Sequence, residues 1–332
     1  MKRIIALLLC MAMLCGMTAC GKESADNSSK ADTPAAKETL NVAVLKGPTA
    51  LGMLPLMSKN EAGASAVDYH FTVAGAADEI TAAIIKGDIP VAAVPCNLAA
   101  TLYNKTKGGV KVAAINTLGV LYILDTGDSV QSVADLKGKT IYSTGAGTTP
   151  EYTLRHLLSS NGIDPDKDVS VVMLSEASEV ASKMAAADEE IIAMLPMPYV
   201  ISVQQQNPNT RIAIDVTKEW ETVNGSTVVT GVLVVNTDFY NKNPKLVQTF
   251  LAEYEKSTAS ASSQVEATAE LAEHFDIFKA AVAKKAIPYC NIVYRAGDAM
   301  KSDVAAYLKV LFDSNPASVG GAMPNDDFYL VP

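Results

Sequence analysis

The densest run of hydrogen-bonding side chains in this 332-residue chain is Ser143-Thr144-Gly145-Ala146-Gly147-Thr148-Thr149, followed by Pro150 and Glu151. Two glycines separated by one residue, set among four hydroxyl residues, predict a tight turn. Its backbone N–H groups and hydroxyls can receive an anionic or polar group of a ligand. The same run can also be no more than a capped helix start. It is not a dinucleotide fingerprint, because the third glycine is missing, and no Gly-Lys-Ser/Thr makes it a phosphate P-loop. Other loops follow apolar runs in the same way and supply further candidates. They are Lys46-Gly47-Pro48-Thr49, Ala76 and Ala77, Cys96 and Asn97, and Met197 and Tyr199 around Pro198. Together these loops offer hydroxyls, amides, the soft surface of Cys96, Met197 and Tyr199, and a single cation, Lys46.

No catalytic residues emerge beside them. No G-x-S-x-G elbow is present, and Cys96 has no histidine near it in the sequence. His70, His156 and His274 and the five cysteines show no zinc spacing. Asp188-Glu189-Glu190 reads as solvated loop charge, with a metal site as the alternative. Trp220, the sole tryptophan, is read as a packing anchor, with a ligand platform as the alternative. No metal and no cofactor is expected. A formal charge of −9, with no Lys/Arg cluster beyond the first three residues, argues against nucleic acid as a partner, because phosphate neutralisation needs clustered cations.

The loops need elements to position them. With 49 % hydrophobic and 19 % charged residues, a sizeable core is available and global disorder is excluded. Low aromatic content and abundant alanine and valine favour an alternating α/β core. Predicted strands are 40–45, 69–73, 91–94, 110–115 and 120–124, then 141–142 entering the glycine turn, 169–174, 191–195, 211–215 and 228–236. Predicted helices run over 51–60, 79–86 with Asp78 as its cap, 98–103, 152–160, 176–187 and from Pro198 to Gln206. A Pro244-started helix and helices near 267–285 and 298–312 follow. Thr148 can cap the helix after the glycine turn, in a capping box with Glu151, or Thr149 can cap it with Pro150 at the first position. Two βα sets joined by strands, with late helices returning to the first, predict two α/β lobes and a cleft. Residues 39–122 plus 227–332 are assigned to one lobe and 123–226 to the other. Ligands in such sheets sit at the carboxyl ends of strands, where helix N-termini point amides inward.

The N-terminus reads as an address. Lys2 and Arg3 precede 13 residues, Ile4 to Gly16, too few to span a bilayer and suited to a signal-peptide core. Met17-Thr18-Ala19-Cys20-Gly21 resembles the bacterial lipobox, which implies a lipidated Cys20; a plain secretory peptide is the alternative. Loss of residues 1–19 removes Lys2 and Arg3 and no acid, which leaves a charge of −11. Two lipid chains hold a protein to a membrane where one does not. Residues 21–38 carry no apolar residue larger than alanine, proline aside, and are expected to be a flexible linker. The folded part keeps Cys96 and Cys290, which could pair outside the cytoplasm or stand as buried thiols.

Three stretches resemble one family. Ser132-Val133-Ala134-Asp135-Leu136-Lys137-Gly138-Lys139-Thr140-Ile141 is similar to the segment that opens the second lobe of solute-binding proteins of ABC importers. Asn161-Gly162-Ile163-Asp164-Pro165 and Ala82 to Ala92 also resemble that family. The similarity covers about residues 40–312 and points to the branch of nitrate, sulfonate, taurine and thiamine-precursor binders. It implies a two-lobed periplasmic-binding-protein-like α/β fold of type II, with the ligand cleft between the lobes. It also implies a small-molecule solute, permease and ATPase partners, a monomeric lipoprotein on the extracytoplasmic face of the cell membrane, and no enzyme activity. Met197 stands where many relatives carry an acidic residue, so no ligand identity carries over. An enzyme of the same fold, either a pyrimidine-precursor synthase or a chorismate-dehydratase-like protein, and a non-transport sensor or surface protein are the alternatives. The chain lacks the synthase's cysteine-rich run.

Overall fold

A computed structural model describes residues 37–331. The expected signal peptide, Cys20 and residues 21–36 of the linker lie outside the described residues. Eleven strands occur among those described: β1 (Thr39–Leu45), β2 (Asp68–Ala74), β3 (Val91–Pro95), β4 (Val110–Leu118), β5 (Leu121–Asp125), β6 (Thr140–Thr144), β7 (Ser170–Leu174), β8 (Ile192–Pro196), β9 (Arg211–Asp215), β10 (Val229–Asn236) and β11 (Ile292–Arg295). They form two sheets, ordered β11-β4-β10-β3-β1-β2 and β7-β6-β8-β5-β9.

The two orders follow one plan. In each sheet a parallel trio, β2-β1-β3 or β7-β6-β8, meets one antiparallel strand, β10 or β5. That fourth strand is the one that has just crossed from the other sheet: β5 follows β4, and β10 follows β9. Strands β3 and β8 are apolar along their lengths and buried, as parallel strands covered on both faces must be. All four leading strands of the trios' loops (β1, β2, β6 and β7) end at turns that enter helices, so their carboxyl ends carry the loops predicted as sites.

Several elements differ from expectation. The helix Val216–Asn224 was not predicted, although its punctuation is present: Asp215 accepts from the Thr217 and Lys218 amides at 3.1 and 3.2 Å, and Gly225 ends it at φ 64°. β11 was not predicted either. It has four partly buried residues at a sheet edge and no alternation to read. The single helix expected near 267–285 is two, Val265–His274 and Ala280–Ala286, parted where Asp276 turns to φ 53° and Ile277 N–H returns to the Ala272 carbonyl. Asp78 does not cap. It is the first residue of the helix Asp78–Lys86, and Glu79 instead accepts from the Ala76 amide at 2.6 Å.

Aromatic packing ties the layers together. Trp220 is fully buried, 4.8 Å from the His156 ring and 5.1 Å from the Tyr307 ring, so it is a packing anchor. The Tyr307 hydroxyl meets Thr153 Oγ1 at 2.8 Å. Cys96 and Cys290 are free and buried, and burial pushes both thiols up.

Candidate functional site

A cavity of about 710 Å³ is lined by the turns that follow strands of both sheets. From the first sheet come Lys46, Gly47, Pro48 and Thr49 after β1, and Gly75, Ala76, Ala77 and Asp78 after β2. From the second come Thr144 through Pro150 after β6, Ser175 and Ala177 after β7, and Pro196 at the end of β8. Ten residues nominated from sequence therefore meet around one space: Lys46, Gly47, Pro48, Thr49, Ala76, Ala77, Thr144, Gly147, Thr148 and Thr149.

The glycine turn has a definite build. Gly145 and Gly147 sit at φ 77° and 69°, where a side chain is strained. Thr148 is the N-cap residue of the helix Thr149–Ser160, yet its hydroxyl bonds back to the Gly145 carbonyl at 2.6 Å. Glu151 receives the Gly147 amide at 2.7 Å rather than the Thr148 amide. The expected capping box is thus displaced by one residue, and the turn is closed by its own side chains. Gly75 serves the opposite rim. A Cβ there would stand 2.7 Å from Glu176 Oε1 and 3.2 Å from Glu79 Oε1, so its absence leaves room for both carboxylates beside the Gly75 backbone.

Five nominated residues do not line this cavity. Ser143 is fully buried because side chains alternate along β6, and Thr144 takes the cavity side. Cys96 is fully buried and packs in the core with Val94 and Ala99. Met197 is 2 % exposed and packs in the other core with Leu195 and Val200. Tyr199 stacks edge-on against Phe278 at 4.9 Å and borders a different space. Asn97 sits behind the wall: its Nδ2 donates to the Gly147 and Ser318 carbonyls at 3.1 and 2.9 Å, and its Oδ1 accepts from Thr149 Oγ1 at 3.2 Å. It supports the glycine turn from the first sheet's helix Cys96–Thr106.

Other lining residues went unnoticed in the sequence. Leu98, Thr101 and Lys105 form one face of the helix Cys96–Thr106, and Thr81, Ala82 and Ile85 one face of the helix Asp78–Lys86. Their i, i+3, i+4, i+7 spacing was the available signal. Among the described residues of the lining loops Lys46 is the one cation, and the helix Cys96–Thr106 adds a second, Lys105, so the wall holds two lysines and Asp78. No group of three or more metal-ligating side chains occurs among the described residues; in the acidic triplet, Glu190 lies 3.7 Å from Lys139. No helix among them is long and apolar enough to cross a membrane.

Residues 105–267 match the family model described as NMT1/THI5 like. No curated protein sequence matches the chain significantly. Among solved structures, an ABC transporter protein from Parabacteroides distasonis superposes with a TM-score of 0.71 at 22 % identity, over 89 % of this chain and 98 % of that one. The alkanesulfonate-binding protein of Xanthomonas axonopodis pv. citri, bound to MOPS, gives 0.68 at 13 % identity over 89 % and 98 %. The periplasmic aliphatic sulphonate binding protein of Escherichia coli gives 0.68 at 15 % identity over 87 % and 93 %. The two-sheet α/β architecture is therefore the periplasmic-binding-protein-like fold.

Proposed function

We propose, from the NMT1/THI5-like match and the fold shared with binding proteins of ABC importers, that this chain is the extracytoplasmic substrate-binding component of such an importer. It captures a small organic solute by lobe closure and has no catalytic role. The observation that carries the reading is the 710 Å³ space walled by strand-end turns of both sheets. A ligand there touches both walls only when they are together, so binding shifts the population toward closure. The closing bodies are residues 39–122 with 227–332, and 123–226. They are connected through the β4–β5 link and the segment that leads into β10. Lipidation at Cys20 tethers the otherwise soluble monomer beside its permease and ATPase partners.

Ligand class follows from the wall. The wall holds two lysines and one aspartate, with the Glu79 and Glu176 carboxylates at its Gly75 rim, so it offers no large positive surplus, and each helix N-terminus adds only ~0.3–1 kcal/mol for a negative group. A free dianion would want more compensation, and the chain's net negative charge repels it. Apolar wall from Leu98, Ile85, Leu121 and Leu174 suits an organic body. The solute therefore has at most one strong anionic group, such as a sulfonate, a carboxylate or a planar heterocyclic vitamin precursor. Titration calorimetry over these classes checks it. One organic class should bind tightly and weaken on Thr148→Ala. Tight binding of inorganic sulfate or phosphate, or an affinity indifferent to Thr148→Ala, would overturn the assignment.

A further inference from the structure

Lys46 also lines a second, smaller cavity of about 290 Å³. Its walls are one face of the helix Ala177–Ala185, one face of the helix Tyr199–Gln206, and the segment from Glu273 to Val282. The volume stands at the lower edge of the range for small-molecule sites, roughly 300–1,000 Å³. One wall is apolar, with Ile277, Phe278 and Val282 beside the Tyr199 ring.

The polar groups divide into committed and free. Ser178 Oγ donates to Glu176 Oε2 at 2.9 Å and Ser182 Oγ to the Ser178 carbonyl at 2.8 Å. Glu273 is held by Lys279 at 3.3 Å and accepts from the Ala280 amide at 3.1 Å. Tyr199 is 8 % exposed, lines the cavity, and its hydroxyl has no hydrogen-bond partner among the described residues. Burial and the Glu176 carboxylate push its phenol up to about 12, so it remains a donor at neutral pH. Lys46 Nζ meets only Asp276, at 3.6 Å, and that carboxylate is fully exposed. An exposed pair of this kind contributes little, so a ligand anion can take Asp276's place.

We propose that this cavity is a second binding site, for a small monoanion carrying an apolar ring or chain. Its anionic group is received by Lys46 and the Tyr199 hydroxyl, and its apolar part lies against Phe278, Ile277 and Val282. A cation held only by one exposed carboxylate and a phenol hydroxyl without a protein partner, beside an aromatic wall, are complementary to that class, whereas an acceptor-free or cationic ligand would leave both donors without a partner.

Calorimetric titration with sodium benzoate tests this, with benzamide as the uncharged control. Benzoate should bind, with benzamide about fivefold weaker or more, the equivalent of ~1 kcal/mol. Tyr199→Phe and Phe278→Ala should each weaken benzoate by a similar factor, and Thr148→Ala, in the larger cavity, should leave it unchanged. Tyr199→Phe removes one oxygen and keeps the ring, so it reads the site even where Phe278→Ala lowers the melting temperature. No benzoate binding up to about 10 mM, well above a weak-site Kd, would reject the proposal. So would binding that responds to Thr148→Ala but not to Tyr199→Phe, which would place benzoate in the larger cavity and leave the solute-binding reading intact.

Discussion

Replacing Asn97 with alanine should damage both stability and ligand binding, although its side chain does not border the large cavity. The amide is fully buried and makes three hydrogen bonds that connect the first sheet's helix Cys96–Thr106 to the Gly147 turn, to the Ser318 carbonyl and to Thr149. Asn97→Ala strands the Thr149 hydroxyl, itself fully buried, and removes a donor from two carbonyls. A stranded buried polar group costs about 1–3 kcal/mol. Some of the three will find water or shift, so a total of roughly 2–4 kcal/mol is expected rather than the full sum. For a folded body of this size that corresponds to a fall in Tm of about 4–8 °C, at around 2 °C per kcal/mol. Differential scanning calorimetry reads it directly. Titration with the solute that the binding screen identifies should then show weaker affinity, because the Gly147 turn loses its support from the first sheet. Asn97→Asp, which keeps the acceptor and loses the donor, should also destabilise. An unchanged Tm in Asn97→Ala, within about 1 °C, would refute the bridging role. Lost stability with intact affinity would confine Asn97 to the core.

Gly119, in the link between β4 and β5, should tolerate no side chain: a Cβ would lie 2.1 Å from Thr217 Oγ1 and 2.6 Å from its Cγ2. Gly119→Ala should cost about 1–3 kcal/mol by overpacking, with partial rescue by Thr217→Ala in a double-mutant melt; no rescue would place the strain elsewhere. Glu253 is expected to contribute to acid stability. Burial raises its pKa, but Lys59 at 2.6 Å, the Tyr69 hydroxyl at 2.8 Å and the Ala66 amide outweigh this, so the carboxyl is held below its ordinary value. A depressed folded pKa means stability present above the unfolded value of about 4.3 and lost as pH falls through it toward the folded value. Wild type should therefore lose more stability than Glu253→Gln on acidification from pH 6 to 3, and parallel unfolding curves would contradict this. Cys20→Ala should move the protein from the membrane fraction to the soluble or secreted fraction; unchanged membrane association would reject lipidation at that cysteine.

Much of the architecture was legible because it is local. The buried apolar runs of β3, β8 and β10, the Pro244 start of a long helix and the glycine turn after β6 all follow from residue type at short range. The carboxyl-end rule names ten of the cavity's residues from the sequence, since ligand sites in such sheets lie in the turns beyond the strands' carboxyl ends. Side-chain direction was another matter. Sequence placed Ser143, Cys96, Met197 and Tyr199 in the right loops, but their orientation depends on strand alternation and on which core each helix start packs into. Lys105 and Ile85 reach the cavity from mid-helix, and only the helix orientation selects that face over the other. Asn97 was nominated as a ligand contact, and the fold made it a strut between the sheets. The chain by itself determined most of the segments that form strands, helices and polar turns, because those choices are settled by neighbours within a few residues; β11, a partly buried edge strand without alternation, was decided by its pairing with β4. Which side chains share the two cavities, and that Lys46 borders both, was decided only when distant elements packed, because burial and hydrogen-bond partners are set by groups hundreds of residues away.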